Sequence, residues 1–158
     1  MTGLDRREIG RYLGYQGADL PPDVAEYADG CCEELERTAV PRVTGRRLSL
    51  ALLTRDSRDL THHLRHCEEG FLYAVTLGAE TDRLLRRWAA QFMARAALGQ
   101  AVCAAWLDQL CADYCRDIQK SLGPDAYLTP SFSPGYGDWA LSAQRQVLDL
   151  LEAHKRIG

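Results

Sequence analysis

The chain lacks the long apolar segment that a membrane-spanning helix needs. No apolar run approaches the roughly 18 residues of such a helix. The first residues, Met-Thr-Gly-Leu-Asp-Arg-Arg, also lack the apolar centre of a secretion signal. We therefore expect a cytoplasmic protein with no membrane partner.

An excess of positive charge is also missing. The formal net charge is −3 at pH 7, and the arginines are distributed among acidic residues. Proteins that bind DNA or RNA usually present a basic face to the phosphates. The sequence therefore predicts no nucleic-acid partner.

The six cysteines lack the spacing of a metal or redox motif, because no Cys-x-x-Cys pair is present. Cys31 and Cys32 fall in one predicted helix and Cys103, Cys111 and Cys115 in another, mostly on apolar faces where a thiol behaves as a small hydrophobe. We expect all six thiols to be reduced. Cys111 and Cys115 lie one helical turn apart, so a weak metal site at this pair remains an alternative.

The histidine segment 62–67 raises a second metal hypothesis. His62 and His66 have the i, i+4 spacing of helical metal ligands, but the glutamate of a zinc hydrolase motif is absent. We favour a solvated helix in which His63 and Cys67 are partly packed. No metal is predicted, and the histidine pair remains an alternative.

Helix and strand signals alternate in the first half of the chain. Asp5 and Glu8 have the spacing of a capping box, and the segment from Gly14 to Gly17 ends that short helix. A second helix is predicted over residues 22–39 and a strand over residues 48–53. The buried stripe of the second helix consists of Val24, Ala28, Cys31, Cys32 and Leu35.

The second half of the chain is mostly helical in pattern. Ser57 or Asp59 caps the histidine-bearing helix, and residues 71–77 read as a central strand covered on both faces. Helices follow Gly78, and the long one ends near Lys120. Asp138 is placed to cap the last helix. The inward-facing residues of this last helix are predicted to be Leu141, Val147, Leu148 and Leu151.

Many helices and few strands, without a strong run of βαβ units, predict the α+β class. We expect residues 1–158 to form one domain, in which several helices pack on a small central, mostly antiparallel sheet.

The loop over residues 129–139, Thr-Pro-Ser-Phe-Ser-Pro-Gly-Tyr-Gly-Asp-Trp, is the strongest candidate for a ligand site. Gly135 and Gly137 permit backbone angles closed to other residues and let a ligand approach the main chain, while Pro134 stiffens the turn. Tyr136 can then stack on a nucleobase or lie beside a cation. The alternative is a tight turn with a packed tyrosine.

Three segments together resemble one family. Residues 132–138, Phe-Ser-Pro-Gly-Tyr-Gly-Asp, followed by Leu141, Gln144 and the final Lys-Arg-Ile-Gly, resemble the signature of the S-adenosylmethionine-binding activation domain of cobalamin-dependent methionine synthase, in its stand-alone form. Residues 8–17 resemble the family's opening helix and turn, and residues 74–78 its central strand.

This resemblance implies a reactivating function. The domain would bind S-adenosylmethionine and support reductive methylation of cob(II)alamin, which is held by the cobalamin-binding module of methionine synthase or by another corrinoid protein. A reductase or flavodoxin would donate the electron. The helix N-terminus behind Asp138 would supply a positive dipole end. The implied ligand-binding residues are Ser131, Ser133, Pro134, Gly135, Tyr136, Gly137 and Asp138, and no catalytic residue is assigned.

Three departures from the family's pattern support an alternative function. Ser131 stands where the family has an arginine, Ala104 where it has a glutamate, and the family continues past Gly158, so that we expect a shortened relative. The alternative is a non-catalytic relative that docks a corrinoid protein or synthase without binding S-adenosylmethionine. A metal or thiol site is a third possibility.

The resemblance implies that the family's arginine binds the carboxylate of the ligand, and a serine cannot replace a guanidinium in that contact. If the chain binds the ligand, another cation has to supply the positive charge that the family's arginine would provide. The sequence offers Arg46, Arg47 and Arg145 as candidates.

Overall fold

The computed structural model describes residues 4–15, 19–50 and 57–158. Over these residues the chain forms seven helices and a two-stranded antiparallel sheet, which confirms the predicted α+β class. In chain order the elements are α1 (Arg6–Tyr12), α2 (Pro22–Thr38), β1 (Arg42–Ser49), α3 (Arg58–His63), β2 (Glu69–Thr76), α4 (Ala79–Gln91), α5 (Met93–Ser121), α6 (Ala143–Leu150) and α7 (Ala153–Arg156).

The first helices begin where the sequence predicts. The side chain of Asp5 accepts a hydrogen bond from the backbone N–H of Arg7 at 2.9 Å and so caps α1. Gly14 follows the end of α1 with φ of 85°, a left-handed conformation that favours glycine after a helix. Gly17, the other predicted end residue, lies outside the described residues.

The chain divides into two compact units, each built from two separate segments. The first unit contains residues 1–42 and 75–114, and the second contains residues 43–74 and 115–158. That residues 1–158 form one domain stays a prediction. Among the described residues, no helix is both long enough and apolar enough to cross a membrane.

The first unit has its own apolar core. The predicted stripe of α2 is confirmed, since Ala28, Cys31 and Leu35 are buried and Val24 and Cys32 pack against the same cluster. The largest fully buried side chains of this core are Ile9, Leu35, Leu84 and Val102.

Trp88 of α4 is buried in this core beside Gly99 of α5. A Cβ atom on Gly99 would overlap the indole ring of Trp88. The guanidinium of Arg95 lies 4.5 Å from the centre of the Trp88 ring and donates to Glu34 at 2.6 Å. Glycine therefore permits the close contact between α4 and α5.

The second unit is organised around another apolar cluster. Its buried members include Leu60 of α3, Leu72 of β2, Trp139 of the candidate loop, and Val147 of α6. Leu148 packs against this cluster from α6. The loop that carries the candidate site is therefore attached to a core through the residue that ends it.

Both predicted strands need correction. β1 spans Arg42–Ser49, so the strand begins earlier than the predicted 48–53, and residues 51–53 lie outside the described part of the chain. Over the described residues β2 has one neighbour, β1, and Leu72 is its only buried residue. The prediction of a central strand covered on both faces is thus wrong there, because an apolar run does not report how many strands flank it.

The start of the last helical region also differs from the prediction. α6 begins at Ala143 with Ser142 as its N-cap, so Asp138 does not cap it. Leu141 is 65% exposed rather than buried, whereas Val147 and Leu151 are buried as predicted. The physical reason is that Asp138 binds the N-terminus of a different helix.

Candidate functional site

The candidate loop closes on itself through backbone hydrogen bonds. The N–H of Gly135 donates to the carbonyl of Trp139 at 2.7 Å, and the N–H of Tyr136 donates to the carbonyl of Ser133 at 3.0 Å. Gly135 and Gly137 have φ of 98° and 52°. The prediction that both glycines adopt backbone angles unfavourable for other residues is confirmed.

Asp138 joins this loop to the N-terminus of α3. Its Oδ1 accepts hydrogen bonds from the Ser57 hydroxyl at 2.5 Å and from the backbone N–H of Asp59 at 3.1 Å. Its Oδ2 accepts the backbone N–H of Arg58 at 3.0 Å. Ser57 is buried and also accepts the N–H of Leu60 at 3.0 Å, so it caps α3 as predicted.

These hydrogen bonds change the interpretation of Asp138 as a ligand-binding residue. The hydrogen bond from Ser57, followed by those from the backbone of Arg58 and Asp59, lowers the pKa of Asp138 below its usual value of 3.8. The Asp138 carboxylate is therefore ionised near neutral pH. Its negative charge lies at the N-terminus of α3, whereas the dipole end expected behind Asp138 is that of the last helix, which begins only at Ala143.

The group that approaches Gly137 belongs to the protein. A Cβ atom on Gly137 would overlap the side chain of Asp59. Asp59 also accepts the backbone N–H of Asp138 at 2.9 Å through its Oδ2. The glycine that was predicted to admit a ligand thus admits the Asp59 carboxylate.

An aromatic cluster places Tyr136 at its exposed side. Phe132 lies between His63, Tyr136 and Trp139, with ring centroids 5.1, 5.9 and 6.2 Å away, respectively. The rings of Phe132 and Tyr136 meet edge to face at 76°. Trp139 is buried, but Tyr136 is 58% exposed. Tyr136 therefore keeps ring surface available for stacking.

Ser131 lies close to Cys115 and to Tyr73, a residue that the sequence analysis did not single out. Its hydroxyl lies 2.9 Å from that of Tyr73 in β2 and 3.7 Å from the Cys115 sulfur in α5. The Cys115 thiol lies 3.6 Å from the Tyr73 hydroxyl. The separation of 58 residues between Tyr73 and Ser131 hid this contact from any local pattern.

The proposed replacements for the missing arginine lie in different surroundings. Arg47 forms an ion pair with Glu69, and Arg46 donates to the carbonyl of Leu150 at 3.2 Å. Arg145 lines an open surface depression of about 550 Å³ on α6, which includes none of the predicted site residues. Arg58, which the sequence reasoning missed, is the arginine whose backbone contacts the loop directly.

The histidine pair is not arranged as helical metal ligands. α3 ends at His63, so His66 lies beyond it. Arg65 lies between the two, with its Nη1 2.6 Å from His62 Nε2 and its Nε donating to His66 Nε2 at 3.0 Å. Within the described ranges no three His, Cys, Asp or Glu side chains are grouped as a metal site would require. His63 is partly packed, as predicted, and its Nε2 lies 2.8 Å from the Pro130 carbonyl.

The cysteines have free thiols at all six positions. Cys31 and Cys103 are buried. Burial raises the pKa of Cys103 to about 12 and that of Cys32 to about 11. These thiols are poor nucleophiles near neutral pH.

No protein-family model and no curated protein matches this chain. The resemblance in the three sequence segments therefore stays a prediction, and so do the ligand and the partners that it implies.

Proposed function

We propose that this chain binds S-adenosylmethionine at the loop of residues 131–138 and supports reductive methylation of cob(II)alamin held by a corrinoid partner. The observation that carries the proposal is the exposed ring of Tyr136, placed between two glycines with positive φ on a loop that is hydrogen-bonded to α3. The resemblance of residues 132–138 to the activation-domain signature supplies the choice of ligand.

The residues of the loop suit such a ligand in two respects. Tyr136 offers an aromatic face for the adenine ring or for the sulfonium cation. Ser131 and Ser133 are exposed and can exchange hydrogen bonds with its polar groups. When bound, the sulfonium supplies a methyl group that is already activated for transfer.

The protein's part in this reaction is mainly positioning. Asp138 is held by three hydrogen-bond donors and its pKa is lowered, so its carboxylate serves the fold rather than proton transfer. A loop fixed at Asp138 and Trp139 loses little conformational freedom when a ligand binds at Tyr136. Holding the methyl group near a partner's cobalt is a gain from proximity.

A second candidate function is docking of a corrinoid protein or synthase without a small ligand. The observation that favours it is that Asp59 fills the space at Gly137, while Ser131, Ser133 and Tyr136 are exposed at the surface. Exposed tyrosines are common at the centres of protein interfaces.

Isothermal titration of the full chain with S-adenosylmethionine separates these two functions. We expect a dissociation constant in the micromolar range for the wild type, with weaker binding by Tyr136→Ala. Tyr127→Ala is the matched control, since Tyr127 is 83% exposed and lies outside the loop. No heat at millimolar ligand would reject the binding proposal.

A further inference from the structure

We propose that this chain associates with a second copy of itself through two different surfaces of the first unit. One surface is basic and apolar and lies where α4 meets α5, and the other is the acidic outer face of α2. Both belong to the unit formed by residues 1–42 and 75–114. This inference goes beyond the proposed function, because it involves neither the candidate loop nor its ligand.

Two large apolar residues are exposed at the junction of α4 and α5. Phe92 follows α4 as its C-cap with an extended backbone, and Met93 begins α5. The two residues are 65% and 78% exposed, whereas Trp88, one turn earlier in α4, is buried in the core. Removing apolar surface from water is favourable, so this junction gains free energy when another surface covers it.

Positive charge surrounds this junction. Between Asp82 and Asp108 the sequence contains four arginines and no acidic residue, although the whole chain has a net charge of −3. Arg86 and Arg87 are exposed on α4 within two turns of Phe92. Over the described residues, neither of these two guanidinium groups forms an ion pair. The basic patch consists of Arg86, Arg87, Phe92 and Met93.

The outer face of α2 has the complementary charge. Asp23, Glu26 and Glu33 are exposed there, and their spacings of three and seven residues place them on one side of the helix. None of the three carboxylates is paired with a cation in the part of the chain that the structure describes. Tyr27 lies beside them and is 46% exposed. The acidic face consists of Asp23, Glu26, Tyr27 and Glu33.

A second copy supplies what each surface lacks. The carboxylates of one acidic face can pair with the guanidinium groups of another copy's basic patch, and the Tyr27 ring can cover apolar surface of Phe92 or Met93. Tyrosine, phenylalanine, methionine and arginine are the residue types enriched in protein interfaces. Because the two surfaces differ, the contact is heterologous, and it leaves one surface of each kind free unless the copies close into a ring.

Sedimentation velocity of the full chain at low and high salt tests the association. At low salt we expect the mean mass to rise with protein concentration, and at about 1 M salt, where the Debye length is about 3 Å, to approach the 17.7 kDa of one chain. Phe92→Ser leaves every charge in place and should raise the dissociation constant about tenfold. Arg145→Glu reverses an exposed charge of the second unit and should associate as the wild type does.

Two charge-reversed variants test the pairing of the surfaces. The double variant Arg86→Glu/Arg87→Glu and the double variant Glu26→Lys/Glu33→Lys should each stay monomeric at low salt, because both surfaces of one variant then carry the same sign. All four substituted residues are exposed, so the fold should be kept, which far-UV circular dichroism checks. A mixture of the two variants should associate, since the acidic face of the first then meets the basic patch of the second.

Three results would overturn the proposal. One is a wild type that stays monomeric at low salt, and another is a mixture of the double variants that stays monomeric. The third is binding of a monomeric wild type to phosphatidylserine vesicles that is lost in Arg86→Glu/Arg87→Glu, which would assign the basic patch to an anionic membrane.

Discussion

Asp59 and Asp138 each accept the backbone N–H of the other, at 3.1 Å for the Asp59 N–H and 2.9 Å for the Asp138 N–H. Each carboxylate is thus bound to the main chain of the other residue, and Asp138 also accepts the Ser57 hydroxyl. This reciprocal pair fixes the candidate loop to the start of α3.

The first prediction concerns the pH dependence of stability at Asp138. Hydrogen bonds in the folded state lower its pKa below the ordinary value of 3.8. Its contribution to the free energy of unfolding is therefore complete above that value and is lost as the pH falls through the lower folded pKa. Asp138→Asn should lower the melting temperature at pH 7, and the difference from the wild type should shrink at pH 3. Thermal unfolding followed by circular dichroism measures both. A difference that does not change with pH would contradict this account.

The second prediction concerns Gly137. Alanine at this position meets both a positive φ of 52° and the side chain of Asp59. The left-handed conformation costs about 1–2 kcal/mol, and the overlap adds a further ~1–3 kcal/mol. Chemical denaturation of Gly137→Ala should show this loss in the free energy of unfolding. Gly123→Ala is the control, because its added Cβ would meet no atom within 4 Å. A similar effect in the two variants would argue against the Asp59 contact.

The third prediction compares two glycines inside helices of the first unit. Gly99→Ala should destabilise the protein by about 1–3 kcal/mol, because the new methyl group would overlap Trp88 and Leu85. Gly30→Ala in α2 meets no neighbour, so it should instead stabilise by about 0.5–1 kcal/mol through the better helix propensity of alanine. Urea unfolding of both variants gives the two signs. A stabilised Gly99→Ala would show that α4 and α5 are not in close contact there.

The fourth prediction concerns the stacking surface of Tyr136. If an adenine ring stacks on it, Tyr136→Ala should weaken S-adenosylmethionine binding by about 1–3 kcal/mol, in the range found for base–aromatic stacking. Tyr136→Phe keeps the ring and should retain most of the affinity. Titration calorimetry on both variants separates the ring from the hydroxyl. Unchanged affinity in Tyr136→Ala would remove the residue from the site.

The fifth prediction concerns the cysteines. Alkylation under denaturing, non-reducing conditions should modify all six thiols, and mass measurement counts them. In the folded protein Cys103 should react slowly, because it is buried and its pKa is raised to about 12. Rapid native labelling of Cys103 would indicate that the first unit opens readily. Fewer than six labels after denaturation would reveal a disulfide or another modification.

Local signals accounted for much of the helical structure. Asp5 and Ser57 cap the helices that follow them, since a cap needs only a side-chain oxygen two or three residues before the N–H that it accepts. The stripe of α2 followed from its spacing of apolar residues, because helical periodicity is itself a short-range property. The positive φ of Gly135 and Gly137 was likewise foreseeable, since glycine alone adopts such angles at little cost.

By itself, then, the amino-acid sequence determined where most helices begin and which of their faces are buried, because neighbouring residues set those properties. Only the tertiary structure decided that Asp138 would bind Ser57, 81 residues away, instead of capping α6. Only the tertiary structure also placed the Asp59 side chain against Gly137 and the backbone N–H of Arg58 against the loop. A carboxylate binds whichever unsatisfied donors the folded chain brings to it, and here these are the backbone N–H groups at the N-terminus of α3.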